Sequence, residues 1–483
     1  VTTAGARDSS AVLVAALGLA ALTVALLQTA VVPVLGVIAH QLGVSSVAVS
    51  WTVTSNLLAA AAATPLVGRL ADLHNKKHVL LTVLAVVLAG SVLAATTSSL
   101  PLLIAARVLQ GLSFSLYPIC VAILRDELPE ERVVRALAVL SGTLGFGGGT
   151  GLVVTGLLMT GAAGYHRVFW LTTGFTVAVI AVVALVVPSR SRRWSAGAVD
   201  WLGALGLAAG LTALLLAITQ GNIWGWGSLP TIGCAIVSVA VLVGWWHWER
   251  RCKYPLVSTR MLTRRAMLLT NLATLFVGMG LYFGFLGLTQ FVQTPRDIAG
   301  YGFSASVLYA SVVFLLPGAL TGFVTAMASG RVIDRFGARP VLVAGAVAGI
   351  AGFLLLAFAH SAPWQVIIAG IWANAYISLA YGALPALVVS EAESGETGVA
   401  TGVNAIARTV GSSIAAAVVA VLLGHSAGGT GVPAENAFVT IFVAGAITAG
   451  LAAMLIAFSD TRVQSPESPV ATVNSRAMNH EWG

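Results

Sequence analysis

Apolar residues run along this chain in long stretches of helical length, interrupted by short clusters of charged, Gly and Pro residues. Segmenting at those breaks predicts fourteen helices, over residues 11–40, 47–67, 78–97, 100–124, 136–160, 168–187, 201–220, 230–248, 266–291, 304–328, 341–360, 363–390, 399–424 and 436–458. A helix needs about 20 apolar residues to cross a bilayer, whereas a membrane strand needs only about 10 alternating ones. The spans are therefore read as helices.

Composition agrees. Apolar residues make up 58% of 483 and charged residues 9%, with a mean hydropathy of +0.94. A soluble chain carries about 25% charged residues, so the charges here are too few to coat a water-facing surface. Disorder, a collagenous fibre and a disulfide-rich secreted scaffold are excluded on the same figures. The expectation is an all-α polytopic membrane protein with no nucleic-acid partner: the net charge of +8 is read as the arginine excess of cytoplasmic loops. Placing both termini in the cytoplasm leaves only four of the 25 Lys and Arg elsewhere, Arg167 and Arg296 outside and Arg107 and Arg408 within spans. The three cysteines show neither a disulfide framework nor a metal spacing. The first span has no A-x-A cleavage pattern and is read as retained.

The chain also repeats itself. Gly68-Arg69-Leu-Ala-Asp72 follows the second span, and Gly330-Arg-Val-Ile-Asp334-Arg335-Phe-Gly-Ala-Arg339 follows the tenth. Each is read as a tight loop, with Gly, an Asp four residues on, and basic residues after it, among them Lys76 in the first copy. Two parallel six-helix repeats follow, a standard transporter architecture. The predicted organisation is a bundle over 1–190, an inserted two-helix hairpin with basic linkers over 191–265, a second bundle over 266–458 and a mobile cytoplasmic tail over 459–483.

These residues resemble the major facilitator superfamily, and the fourteen-span count resembles its drug:proton antiporter branch, the EmrB/QacA-like exporters. The superfamily's signature loop is matched by Gly68, Leu70, Ala71, Asp72, Lys76 and Lys77, with Asn75 where Gly is usual. Its fourth-span R-x-x-Q-G is matched by Arg107, Gln110 and Gly111. Ser50-Trp51, Thr54 and Thr64-Pro65-Leu66 resemble the branch's second span, and Gly398 to Asn404, Arg408 and Gly411 its penultimate one. The resemblance covers nearly the whole chain and implies a bacterial plasma-membrane exporter of amphipathic molecules. Two departures stand out. The branch usually carries L-D-x-T in the first span, its Asp tied to proton coupling, where this chain has Leu26-Leu27-Gln28-Thr29. The fifth-span antiporter motif survives as glycines without its proline, leaving Gly145, Gly149, Gly151 and Gly156 as packing or hinge positions.

All seventeen acids fall in tails, loops or span ends, whereas Arg107 and Arg408 lie within spans. An arginine at such depth costs at least ~2.5 kcal/mol on insertion scales and keeps its proton. Each either braces helices, through carbonyls and neighbours such as Gln110 and Asn404, or lines a central cavity and biases it toward neutral, zwitterionic or anionic compounds. Gln28, Asn271, Tyr282, Tyr309 and Trp372 are further cavity candidates, with Asn374, Tyr376 and Tyr381. Asp72 and Asp334, with Arg69, Lys76, Arg335 and Arg339, are read as a conformational latch or proton-coupling sites. No G-x-x-x-x-G-K-[ST] occurs, so uphill transport would draw on an ion gradient, a proton gradient being expected, with no cofactor. The leading expectation is a monomeric secondary exporter contacting membrane lipids. A lipid or glycolipid exporter, an uncoupled facilitator, and a membrane-embedded sensor or enzyme are the alternatives.

Overall fold

The computed structural model describes residues 2–31, 34–44, 46–159, 164–189, 199–393, 396–424 and 432–459. The expected tail from 460 onward and the basic run at 190–193 lie outside the described residues. Every long element is helical, as the apolar runs require, because a backbone in lipid must satisfy its own hydrogen bonds. The long helices are α1 (Thr2–Thr29), α2 (Ser46–Leu73), α3 (Lys76–Thr96), α4 (Leu100–Glu127), α5 (Glu130–Leu158), α6 (His166–Val186) and α7 (Trp201–Trp224). They continue with α8 (Leu229–Glu249), α9 (Arg265–Gln293), α10 (Ala310–Phe336), α11 (Ala338–Phe358), α12 (Pro363–Glu391), α13 (Thr397–Leu423) and α14 (Glu435–Ala457).

Among the described residues, twelve of these are long and apolar enough to cross a membrane. The other two, α2 and α5, are equally long at 28 and 29 residues. Helix α2 turns its polar side chains into protein: Thr52, Ser55, Asn56, Thr64, Arg69 and Asp72 are all buried. Short connections are set by caps. The Asn75 side chain accepts from the Lys77 and His78 amides to start α3, and Asp200 accepts from Gly203 to start α7. Helix α4 tightens into a 3-10 turn at Leu112–Ser115, just after Gly111 meets α2. A Cβ on Gly111 would lie 2.6 Å from the Asn56 carbonyl oxygen. Helix α10 opens with a π segment, Ala310–Leu315, next to Pro317, which has no amide to donate.

Two expectations are corrected. The first span, expected over 11–40, ends at Thr29, and Leu35–Leu42 is a separate short helix. The repeated Gly-Asp segments are not loops: Gly68 to Asp72 are the last turns of α2, and Gly330 to Asp334 those of α10. The turn after α10 is made instead at Gly337, with φ +86°. Gly68 and Gly330 serve close approach between helices, which is compatible with a continuous helix.

Helices α1 to α6 pack among themselves around Leu17, Leu84, Ile119 and Leu140, and α9 to α14 around Phe291, Phe353, Tyr376 and Phe442. The two bundles meet where α5 lies along α10 and α2 along α13, with α12 against α5 and α13 against α4. Helices α7 and α8 pack on each other, and α7 rests on both α2 and α13, sharing with them a cluster that includes Leu207, Leu211, Val399 and Ala400.

Candidate functional site

The ends of the bundles that carry the basic residues are drawn together by two related contacts. Both carboxylate oxygens of Asp72, on α2, accept backbone amides from the first turn of α13, Gly398 and Val399, each at 3.1 Å. This is an anion at a helix N-terminus, where free N–H groups and the helix dipole favour negative charge. In the repeat-related position on α10, Asp334 accepts from the Arg135 guanidinium of α5. So the second helix of each bundle reaches the fifth helix of the other. Both contacts need glycine: a Cβ on Gly68 would lie 2.9 Å from the Gly398 oxygen, and one on Gly330 2.8 Å from Arg135 Cα. Arg125 adds a third crossing, donating to Thr397 Oγ1 and to the Ala392 carbonyl.

The remaining latch candidates act within one bundle or beside the crossing. Lys76 pairs with Asp126 at 2.7 Å. Arg69 is buried and its Nε has no hydrogen-bond partner among the described residues. Arg335 lies over the Phe336 ring at 5.2 Å, and the Arg339 charge faces Glu391.

Away from this closed end, the bundles enclose a cavity of about 220 Å³. Its walls are mainly apolar, with Phe114, Phe285 and Phe353 among them, and its polar groups include Gln28, Tyr282, Asn374, Thr409 and Ser412. Arg408 is the one charged side chain among the lining residues, and no acid lines the cavity among the described residues. Its guanidinium carbon sits 4.9 Å from the Tyr381 ring centroid and 5.6 Å from that of Tyr117. Of the expected cavity residues, then, Gln28, Tyr282, Asn374, Tyr381 and Arg408 do line it.

The others do not. Arg107 is 1% exposed and lies inside the first bundle, donating from Nε to the Thr52 carbonyl at 3.0 Å and from Nη1 to the Leu27 carbonyl at 3.2 Å and Gln110 Oε1 at 2.6 Å. Gln110 passes the chain on to Ser91. Asn404 donates to Asn271 and Thr274, bracing α13 on α9. Tyr376 is buried in the second bundle, while Tyr309 and Trp372 face outward. Gly151 packs on Thr29 and Gly156 near Leu308. Gly145 and Gly149 lie on α5, with their surroundings outside the described residues.

Several lining residues escaped the sequence reading, chiefly Tyr117, Phe114, Ser378 and Ser412. One signal was available. Gly370, Ala373, Asn374, Ile377, Ser378 and Tyr381 follow the three-and-four spacing of one face of α12, whereas Trp372 and Tyr376 fall off that stripe.

Two bundles of long apolar helices, clamped at one end around a shared cavity, define a multi-pass membrane protein. The chain belongs to the Major Facilitator Superfamily, whose family model matches residues 17–416 and 319–477. An MFS-type transporter of Mycobacterium tuberculosis is 29% identical over 396 residues, covering 81% of this chain and 56% of its own length. This chain thus spans little more than half of that relative. The tetracenomycin C resistance and export protein of Streptomyces glaucescens is 28% identical over 395 residues, covering 79% of this chain and 70% of its own. Among solved structures, the human organic anion transporter MFSD10 (TETRAN) superposes with a TM-score of 0.61 at 17% identity, over 92% of this chain and 99% of that one, a likeness of fold.

Proposed function

We propose that this protein is a secondary exporter of amphipathic small molecules working by alternating access, a fourteen-span member of the EmrB/QacA-like branch. The observation that carries the reading is the central cavity walled by both bundles and sealed at one end by Asp72 on α13 and Asp334 on Arg135. In this reading α2 and α5 cross the membrane with the other twelve helices, and α7 and α8 form an inserted hairpin. The clamped end is cytoplasmic, as its concentration of Arg and Lys favours, and the membrane is the bacterial plasma membrane. Export as the direction is supported by relatives such as the Streptomyces exporter. The apolar walls suit amphipathic solutes better than sugars or ions. The energy source is a proton gradient, the protein acts as a monomer, and Asp72 and Asp334 act on the inward/outward equilibrium.

A second reading, an uncoupled facilitator, is favoured by Gln28 standing in the cavity wall where the branch carries its carboxylate. The test is proton movement in reconstituted vesicles under an imposed pH gradient, challenged with matched neutral, zwitterionic, anionic and cationic amphiphiles. Substrate-dependent collapse of the gradient is expected. Flux without collapse would install the facilitator in its place, and no flux of any probe would remove the transporter reading for this chain.

A further inference from the structure

Arg408 sits at a junction. It belongs to α13 of the second bundle, as Tyr381 on α12 does, while Tyr117 on α4 belongs to the first. Both feet of the contact are anchored. The Tyr117 hydroxyl is hydrogen-bonded with Ser141 Oγ at 2.8 Å, and the ring is buried. The Arg408 backbone is pinned on α9, since a Cβ on Gly278 would come within 2.3 Å of the Arg408 carbonyl oxygen. Rings attract a guanidinium through its faces and leave its five in-plane N–H groups to other partners. Among the described residues none of those N–H groups is bonded to a protein acceptor, and no carboxylate shares the cavity. A planar fork of donors in an apolar chamber matches one oxyanion bidentately.

The geometry points to a specific substrate class: Arg408 reads the single oxyanion of a monoanionic amphiphile whose aromatic body lies against Phe114, Phe285 and Phe353. The same guanidinium, held between Tyr117 and Tyr381, ties the two bundles across the cavity, and an oxyanion bound in its plane offsets the charge that draws it to the Tyr117 face. This assignment rests on the transporter reading and narrows it from amphipathic solutes in general to monoanions. It also gives the cavity a charge sensor without any acid: the ligand's own charge loosens a contact that alternating access must break.

The test uses the full chain, purified and reconstituted, with three near-isosteric probes: 2-naphthoate, 2-naphthamide and 2-naphthylmethylammonium. Equilibrium binding is expected to favour the carboxylate over the amide by about tenfold or more, as a charge-assisted bidentate contact would, with the ammonium weakest. In Arg408→Gln the carboxylate and amide should bind within about twofold of each other, and Arg408→Lys should recover only part of the preference. Tyr117→Leu frees the guanidinium and should tighten carboxylate binding. Equal binding of carboxylate and amide by the unsubstituted protein overturns the anion assignment, whatever the variants do. So does a preference that survives Arg408→Gln. Weaker carboxylate binding in Tyr117→Leu overturns the coupling between ligand and ring. Flux is measured separately: transport without charge preference leaves a transporter whose ligand class is wrong, whereas carboxylate-selective binding with no flux of any probe sustains the anion site and removes the transporter reading.

Discussion

Arg107 and Arg408 are the same residue type, each inside a long apolar helix, and their surroundings give them opposite work. Arg107 sews α4 to α1 and α2 through two backbone carbonyls, and to α3 through Gln110 and Ser91. Asn56 in turn donates to the carbonyl of Arg107 itself. Its charge cannot be shed, and removing the side chain takes the buried donors away from the Leu27 and Thr52 carbonyls and from Gln110 Oε1. Arg107→Ala should therefore lower stability by about 2 kcal/mol, taking hydrogen bonds within membrane bundles at their measured modest worth, and should reduce the folded yield. Thermal unfolding in detergent checks this; normal melting combined with lost transport would return Arg107 to the substrate path. Glu396 makes a second prediction at this scale. It lies just before α13, half-buried, and burial together with the neighbouring Glu393 charge raises its carboxyl above the usual range, against the pull of Arg69 and Arg264. A raised carboxyl stabilises the fold when protonated and loses that contribution as pH climbs through its folded value. Glu396→Gln should then melt at or above the parent at pH 7.5, and the gap should close on acidification toward the ordinary carboxylate range. A variant that melts lower at pH 7.5 would show that the Arg69 and Arg264 attraction dominates.

At the scale of helices, the decisive contacts are glycine-mediated crossings. With 2.9 Å between a Cβ on Gly68 and the Gly398 oxygen, Gly68→Val should push α2 off α13 and open the clamped end, while the interior of each bundle stays packed. Limited proteolysis at that end should accelerate, with global melting little changed; unchanged proteolysis would mean the helices slide to accommodate the side chain. Much of this level was legible in the sequence. Lipid forces apolar runs into helices, and the two Gly-Asp segments announced a repeat before any contact was visible. What the sequence did not carry was partnership between helices. Asp72 and Gly398 are separated by 326 positions, and nothing in either segment names the other. Nor did it show that both segments continue their helices, because a glycine that permits a turn and one that permits close packing look alike in a string. The cavity was half legible for the same reason. Asn374 and Tyr381 share the inward stripe of α12, while Trp372 was an equally attractive aromatic on the wrong face. Arg135, which no sequence motif singles out, proved to be the partner of Asp334.

For the molecule as a whole, the two aspartates of the proposed clamp would bias one equilibrium, and the repeat does not make them equal. Asp72 is 5% exposed and receives two amides at the dipole end of α13, the setting in which a carboxylate contributes about 1 kcal/mol or somewhat more. Asp334 meets an Arg135 whose side chain is 60% exposed, and water screens such a pair to a few tenths of a kcal/mol up to about 1. Asp72→Asn should accordingly shift the balance between closed and open at the basic end by about fivefold, and Asp334→Asn by about twofold. The sites lie on different helix pairs and share no partner, so their free energies should add, giving about tenfold in the double variant. The shift is readable as the labelling rate of Thr409→Cys, on the cavity wall, by an impermeant maleimide supplied from the basic end, in a background lacking Cys120, Cys234 and Cys252. A double variant no faster than Asp72→Asn alone would mean that the α10–α5 pair carries none of the closure. Equal single effects would mean that the exposed pair is as strong as the capped helix and that burial is not what ranks them.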